Sequence, residues 1–137
     1  MKKLLLILLL PCLSATVYAD GNYGCVMNIS GGFNWENGSW KLTTFTKENL
    51  LISVQENGSK LKYKTASDSV EDEYVCTTQI LWVQQTKFLN CHNHWGNMVV
   101  FDEVALKGGS SFLNGSITRS NKYKDSISVK EFTCQKF

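Results

Sequence analysis

The sequence predicts an all-β fold, a small antiparallel β-barrel of about eight strands carrying two disulfides. Three observations carry that expectation. Beyond residue 19, apolar residues alternate with polar ones at period two, and no stretch keeps a helical period for ten residues. Asn-Gly steps at Asn37-Gly38, Asn57-Gly58 and Asn114-Gly115 punctuate a chain whose single proline is Pro11; both residues of such a step tolerate positive φ, which tight hairpin turns require. Cys25, Cys76, Cys91 and Cys134 form an even set suited to covalent pairing.

The first 19 residues read as a secretory signal peptide: Lys2 and Lys3, an apolar run from Leu4 to Leu10, then small residues ending at Ala19. The apolar run is too short to span a bilayer. Pro11 sits where a lipoprotein cut before Cys12 would want Gly or Ala, so acylation is not expected. Processing before Asp20 would leave 118 residues, one domain spanning 20–137, and a periplasmic or extracellular destination. The formal charge of +2 comes from Lys2 and Lys3, so the processed chain has as many acidic as basic residues. Such a balance gives no support to nucleic-acid or anionic-membrane binding. The acidic cluster Asp68, Glu71, Asp72, Glu73 and the basic set Lys60, Lys62, Lys64 read as solvated faces.

Within the domain, residues 49 to 65 form the clearest hairpin. Leu50, Ile52 and Val54 share one face before the Asn57-Gly58 turn, and Leu61, Tyr63 and Thr65 share one after it. Trp40, Leu42 and Thr44 suggest a strand feeding into this hairpin. Tyr74 to Thr78 and Ile80 to Gln85 are rich in β-branched and aromatic residues. Phe88 to His92 and Met98 to Phe101 make another hairpin that turns through Asn93 to Asn97, and Ile127 to Thr133 alternates again. Asp68 to Glu73 could form one helical turn. Local connections favour a closed barrel, since closure removes exposed strand edges.

Four cysteines allow three pairings. Cys76 with Cys91 would clamp neighbouring strands, and Cys25 with Cys134 would tie the ends of the domain together. A zinc site is disfavoured because no C-x-x-C occurs. His92 and His94, the only histidines, would share one face if their strand continued, but a pair without a third ligand chelates weakly. No nucleophile motif stands out, the cysteines are committed to bridges, and Asp102 and Glu103 would face opposite sides of a strand. The expectation is therefore binding without catalysis, metal or cofactor. Asn-x-Ser sequons at Asn28, Asn37, Asn57 and Asn114 would matter only in a eukaryotic secretory route. The Lys-Lys-Leu-rich start has a bacterial character.

Gly38-Ser39-Trp40 at the entry to a run of hairpin-connected strands resembles the G-x-W opening of lipocalins and the wider calycin group. In those barrels the Trp packs at the closed end, often against an Arg near the last strand, a position that Arg119 would match. The resemblance implies a lipocalin-like binding barrel. A cavity for a small apolar ligand would then be lined by Trp40, Leu50, Ile52, Val54, Leu61 and Tyr63. Lys107-Gly108 within Ala105 to Phe112, and Ser59 to Tyr63, resemble loops of the periplasmic inhibitors of C-type lysozyme. No inhibitory residue is carried over from that likeness. The alternative expectation, a protein-interaction factor such as an inhibitor or a secreted effector, rests on two Gly-rich, partly apolar segments read as loops that would meet a protein partner. These are Gly31 to Asn37 and Ala105 to Gly115, with Phe33, Trp35 or Phe112 as anchors.

Overall fold

Alternating inward residues place eight of the nine strands among the described residues around one core. The computed structural model describes residues 20–114 and 126–137. The strands are β1 (Gly21–Glu36), β2 (Ser39–Thr44), β3 (Asn49–Gln55), β4 (Lys60–Thr65), β5 (Asp72–Leu81), β6 (Thr86–His92), β7 (Met98–Asp102), β8 (Lys107–Phe112) and β9 (Ser126–Lys136). Every pairing is antiparallel. The order β2-β1-β3-β4-β5-β6-β7-β8-β9, with β1 also paired to β9, closes β1 and β3 to β9 into an eight-stranded barrel. β2 stands outside the ring, and among the described strands it pairs only with the second half of β1.

β1 closes the ring because it is long enough to serve three neighbours. Its first half pairs with β3, its second half with β2, and β9 follows it from Tyr23 to Asn34. A bulge between Met27 and Ile29 changes which residues face inward, from Tyr23, Cys25 and Met27 to Ser30. Both disulfides are present, Cys25–Cys134 and Cys76–Cys91. Each joins residues directly opposite one another on paired strands. The amides of Cys134 and Cys76 donate instead to Leu106 and Ser59, so each bridge spans a pair whose members do not bond each other. This is the closer type of cross-strand pair.

A file of aromatic rings fills the interior along its length. Tyr74 meets Tyr63 at a centroid distance of 6.2 Å, Tyr63 meets Phe132 at 6.5 Å, Phe132 meets Phe101 at 6.4 Å, and Phe101 meets Tyr23 at 4.9 Å. Leu50, Ile52, Val54, Leu61, Leu89 and Val99 pack around it, all buried. Gly108 makes this possible, because a Cβ there would lie 2.5 Å from the Phe132 ring.

The expected 49–65 hairpin is β3 and β4, with the faces as read, and Asn57 and Gly58 at the turn have φ of 56° and 81°. Asn37-Gly38 forms a two-residue turn between β1 and β2, with φ of 51° and 79°. Four readings need correction. Gly31 to Asn37 is not a loop: residues up to Glu36 belong to β1, and Gly32 is required there because a Cβ would sit 1.9 Å from the Ile127 carbonyl oxygen. Ala105 to Gly115 is not one loop, since Lys107–Phe112 is strand β8, where Gly108 leaves the space that the Phe132 ring takes. Asp68 to Glu73 makes no helical turn, since Asp72 and Glu73 begin β5, while the Asp68 amide donates to the Thr65 carbonyl in a tight turn. Ile80 to Gln85 is not one strand, because β5 ends at Leu81 and the chain reverses through Gln85 at a φ of 49°. Residues 1–19, on which the expected signal peptide falls, lie outside the described residues, as do Gly115 and Arg119.

Two predictions follow from this packing. Gly32→Ala loses about 1–3 kcal/mol or more in urea denaturation, since backbone must move to admit the methyl. Gly38→Ala, with nothing within 4 Å of the new Cβ, loses only the left-handed conformational cost of about 1 kcal/mol. On the chain-entropy model, replacing Cys76 and Cys91 by Ala, across a separation of 15 residues, costs about 3 kcal/mol. Replacing Cys25 and Cys134, separated by 109, costs about 5 kcal/mol. The order of the two denaturation midpoints checks it.

Candidate functional site

Antiparallel order sends the β3–β4, β5–β6 and β7–β8 turns to one end of the barrel, the lower end. The β4–β5 and β6–β7 connections and the β1–β2 turn lie at the upper end. The two ends differ in chemistry, and each presents one feature that the core does not absorb.

At the lower end β5 and β6 outrun their neighbours. β4 pairs with β5 only from Asp72 to Val75, and β7 pairs with β6 only from Leu89 to His92. The hairpin from Gln79 to Phe88 therefore extends past both flanking strands as an arm. Leu81, Trp82 and Val83 are at its tip, with Trp82 92% and Val83 97% exposed. Behind the tip, on the outer face of the barrel, lies an apolar groove of about 350 Å³. Leu81, Phe88 and Val100 line it, with Asp102 and Lys107 among its polar lining residues. An aromatic ring of this size would be expected to fill or line a small barrel's interior, and the arm places Trp82 outside it. Its signal in the sequence is weak, because Gln84-Gln85 is not turn-forming chemistry and only the run of apolar residues marks the place.

The lower end is closed by Tyr23, whose hydroxyl donates to Glu103 Oε1 at 2.6 Å and whose ring lies 5.5 Å from Lys136 Nζ. Burial raises the Glu103 carboxyl above its ordinary value. The Tyr23 hydrogen bond and Lys136 oppose this, and Asp20 and Asp102 add to it. Glu103 Oε2 is buried without a partner. Burial, then the Glu103 hydrogen bond and charge, also raises the Tyr23 phenol.

At the upper end a recess of about 300 Å³ opens above the aromatic file. Its floor is Tyr63, whose hydroxyl lies 3.5 Å from Ser110 Oγ on the opposite wall. Asp68 and Asp72 lie on one side and Lys130 on the other. Asp68 Oδ2 accepts a 2.6 Å hydrogen bond from Thr65. Asn97 hydrogen-bonds Tyr74, while its own Oδ1 is buried without a partner. Burial raises the phenols of Tyr63 and Tyr74, and the nearby carboxylates, Asp72 foremost for Tyr74, raise them further.

The expected lining residues Leu50, Ile52, Val54 and Leu61 are packed into the core, and Tyr63 is both core and recess floor. Trp40 lies apart from them on the β1–β2 hairpin, its ring 5.2 Å from that of Trp35. Of the three expected anchors, Phe33 is exposed on the same hairpin, Trp35 meets Trp40 edge to face, and Phe112 lines the upper recess. His92 ends β6 and His94 sits in the following turn, both exposed, with the His94 ring 4.4 Å from Trp95. That turn is shaped by Asn93, whose Oδ1 accepts from the amides of Trp95 and Asn97. Among the described residues no group of three or more His, Cys, Asp or Glu is placed to hold a metal ion. No described helix is long and apolar enough to cross a membrane.

Comparison with protein families, curated proteins and solved structures finds no match for this chain.

Because Glu103 titrates higher in the folded chain, the folded state binds more protons than the unfolded one just above the ordinary value of 4.5. Its contribution to stability therefore falls as pH rises through that window. Glu103→Gln keeps an acceptor for Tyr23 and removes the charge. We expect stability equal to the parent at about pH 4 and higher by less than about 1 kcal/mol at pH 7, the group being only partly buried. Urea midpoints at the two pH values decide it, and a loss at neutral pH would contradict the account.

Proposed function

We propose that this chain is an exported, non-enzymatic binding protein that works by protein contact, its β5–β6 arm entering a cleft on the partner. The exposure of the tip carries this reading. Three consecutive apolar residues, one of them Trp82, stand in water on a projecting turn. Tryptophan is among the residues that most often dominate interface energy, and soluble chains rarely expose contiguous apolar surface without use. The groove behind the tip adds a concave element, so tip and groove together offer a shaped apolar surface with polar groups at its margin. This is the anatomy of a protein interface more than of a lipid anchor.

Export is supported by the signal-like first 19 residues and by the two disulfides, which persist in oxidising compartments. The resemblance to lysozyme inhibitors points the same way, toward a secreted or periplasmic factor that blocks or recruits another protein. The lipocalin resemblance points to a small apolar ligand among Leu50, Ile52, Val54, Leu61 and Tyr63, a region these side chains already occupy by packing on one another.

The test uses the disulfide-bonded chain as bait against periplasmic and extracellular fractions of its source, with Trp82→Ala and Val83→Asp as matched baits. Both positions are exposed, so folding is expected to be unaffected. A partner retained by the parent should lose about 2 kcal/mol of affinity, roughly 30-fold, on either substitution. A partner held equally by all three baits, or binding only to phospholipid vesicles, would overturn the reading.

A further inference from the structure

The upper recess separates charge across a small, partly apolar space. β5 and β9 lie four strands apart around the eight-stranded ring, so they face each other across the barrel. Asp72 opens β5, and Asp68 sits in the connection just before it, while Lys130 projects from β9 into the same recess. No ion pair joins Lys130 to a carboxylate among the described residues. The separation is built in by register. Lys130 alternates inward with Ser128 and Phe132 along β9, and Ser110 is its direct partner on β8.

Each side carries neutral groups that match its charge. Near the carboxylates, Asn97 presents a buried Oδ1 with no hydrogen-bond partner, an acceptor awaiting a donor. Unpaired buried acceptors are costly, and a ligand donor there recovers the loss. Beside Lys130, the hydroxyls of Ser110 and Ser128 can donate. Tyr74 and Phe112 supply ring surface between the two sides, and Tyr63 closes the floor.

We propose that this recess is a binding site for a small zwitterion of the α-amino-acid class. Its ammonium would be held by Asp68, Asp72 and Asn97 Oδ1, and its carboxylate by Lys130 with Ser110 and Ser128. A volume of about 300 Å³ lies at the small end of ligand sites, which suits a single amino acid and excludes a long acyl chain. An uncharged sugar would use the hydroxyls but would gain nothing from opposed charges, and a plain anion or cation would satisfy one wall while facing repulsion from the other. The site is independent of the β5–β6 arm at the other end of the barrel, and either can fail alone.

The experiment is isothermal titration of the disulfide-bonded chain with glycine and with L-phenylalanine, followed by N-acetyl-L-phenylalanine, L-phenylalaninamide and glucose. Saturable binding of at least one free amino acid is expected. Where L-phenylalanine is the ligand, both blocked forms should be about tenfold weaker or worse, since each lacks one charge-assisted contact. Where glycine alone binds, N-acetylglycine and glycinamide serve as the blocked pair with the same expectation. Lys130→Met should lower the amino acid to the affinity of its amide, Lys130→Arg should keep the preference, and Asp72→Asn should lower it to that of the N-acetyl form. Trp82→Ala should change none of these. No saturation by either amino acid at roughly 10 mM, equal binding of free and blocked forms, or preferential binding of glucose would overturn the proposal. If Lys130→Met does not fold, the comparison of free and blocked ligands on the parent chain still decides it.

Discussion

Where β9 returns to β1, registered pairs run from Tyr23 opposite Lys136 to Asn34 opposite Ser126, and this seam turns a sheet into a barrel. Without it, β1 and β9 would expose two long edges, and the aromatic file would lose one wall. The seam joins segments far apart in sequence, so its formation carries a large loop-closure cost. The Cys25–Cys134 bridge lies on the seam itself and removes that cost from the unfolded ensemble. Gly32, close against Ile127, lets the two backbones stay together beyond the bulge, where Ser30 replaces the odd-numbered residues as the inward position. Geometry and covalent chemistry thus act on the same pair of strands.

Closure also sets what the interior can do. An eight-stranded ring is just wide enough for side chains to fill, and here Tyr74, Tyr63, Phe132, Phe101 and Tyr23 run along it in ring-to-ring contact. Phe132 gains its place from the missing side chain at Gly108, an instance of large and small residues alternating across facing strands. Polar chemistry is left to the ends. Below, Tyr23 and Glu103 shut the barrel with a hydrogen bond that leaves one carboxylate oxygen buried and unpaired. Above, Tyr63 stops the apolar file at its hydroxyl, and the space beyond is lined by carboxylates, hydroxyls and one lysine.

How much of this is legible in the sequence depends on whether a segment's pattern has a single cause. Residues 49 to 65 alternate because one face is core and the other water, and the reading succeeds down to the faces of Leu61 and Lys62. Asn37-Gly38 and Asn57-Gly58 succeed because positive φ is a local demand. Cysteine pairing follows from neighbouring strands at one place and from the chain ends at the other. β1 is hidden because its bulge shifts the inward parity midway, so no single alternation spans it. β8 is hidden because Gly108 answers to Phe132, more than twenty residues away, and glycine beside serine reads locally as loop. The arm is hidden because Ile80 to Val83 has strand composition and no breaker, and nothing local says that β4 and β7 stop short of it. The upper recess is invisible for a further reason: Lys130 and Asp72 meet across the barrel only once the strand order is known.

The arm and the β1–β2 hairpin leave the barrel at opposite ends, and both expose what closure elsewhere conceals. Among the described residues, β2 has an outer edge with no neighbouring strand, and the lower parts of β5 and β6 have none on their outer sides. Exposed edges invite pairing with other chains, and an apolar tip invites aggregation. Residues 20–137 carry as many acidic as basic side chains and so have little net repulsion to offset either tendency. The two hairpins manage the hazard differently. Trp35 and Trp40 cover each other edge to face, which hides part of both rings within the hairpin. Trp82 and Val83 have no such cover, although Ile80 and Leu81 stand next to them and a shorter or more polar turn would be compatible with the same barrel. The core gains nothing from these residues, since their side chains lie beyond it. On the proposed function, these side chains act on whatever the tip touches outside the chain, and their apolar surface belongs to that contact and not to the fold.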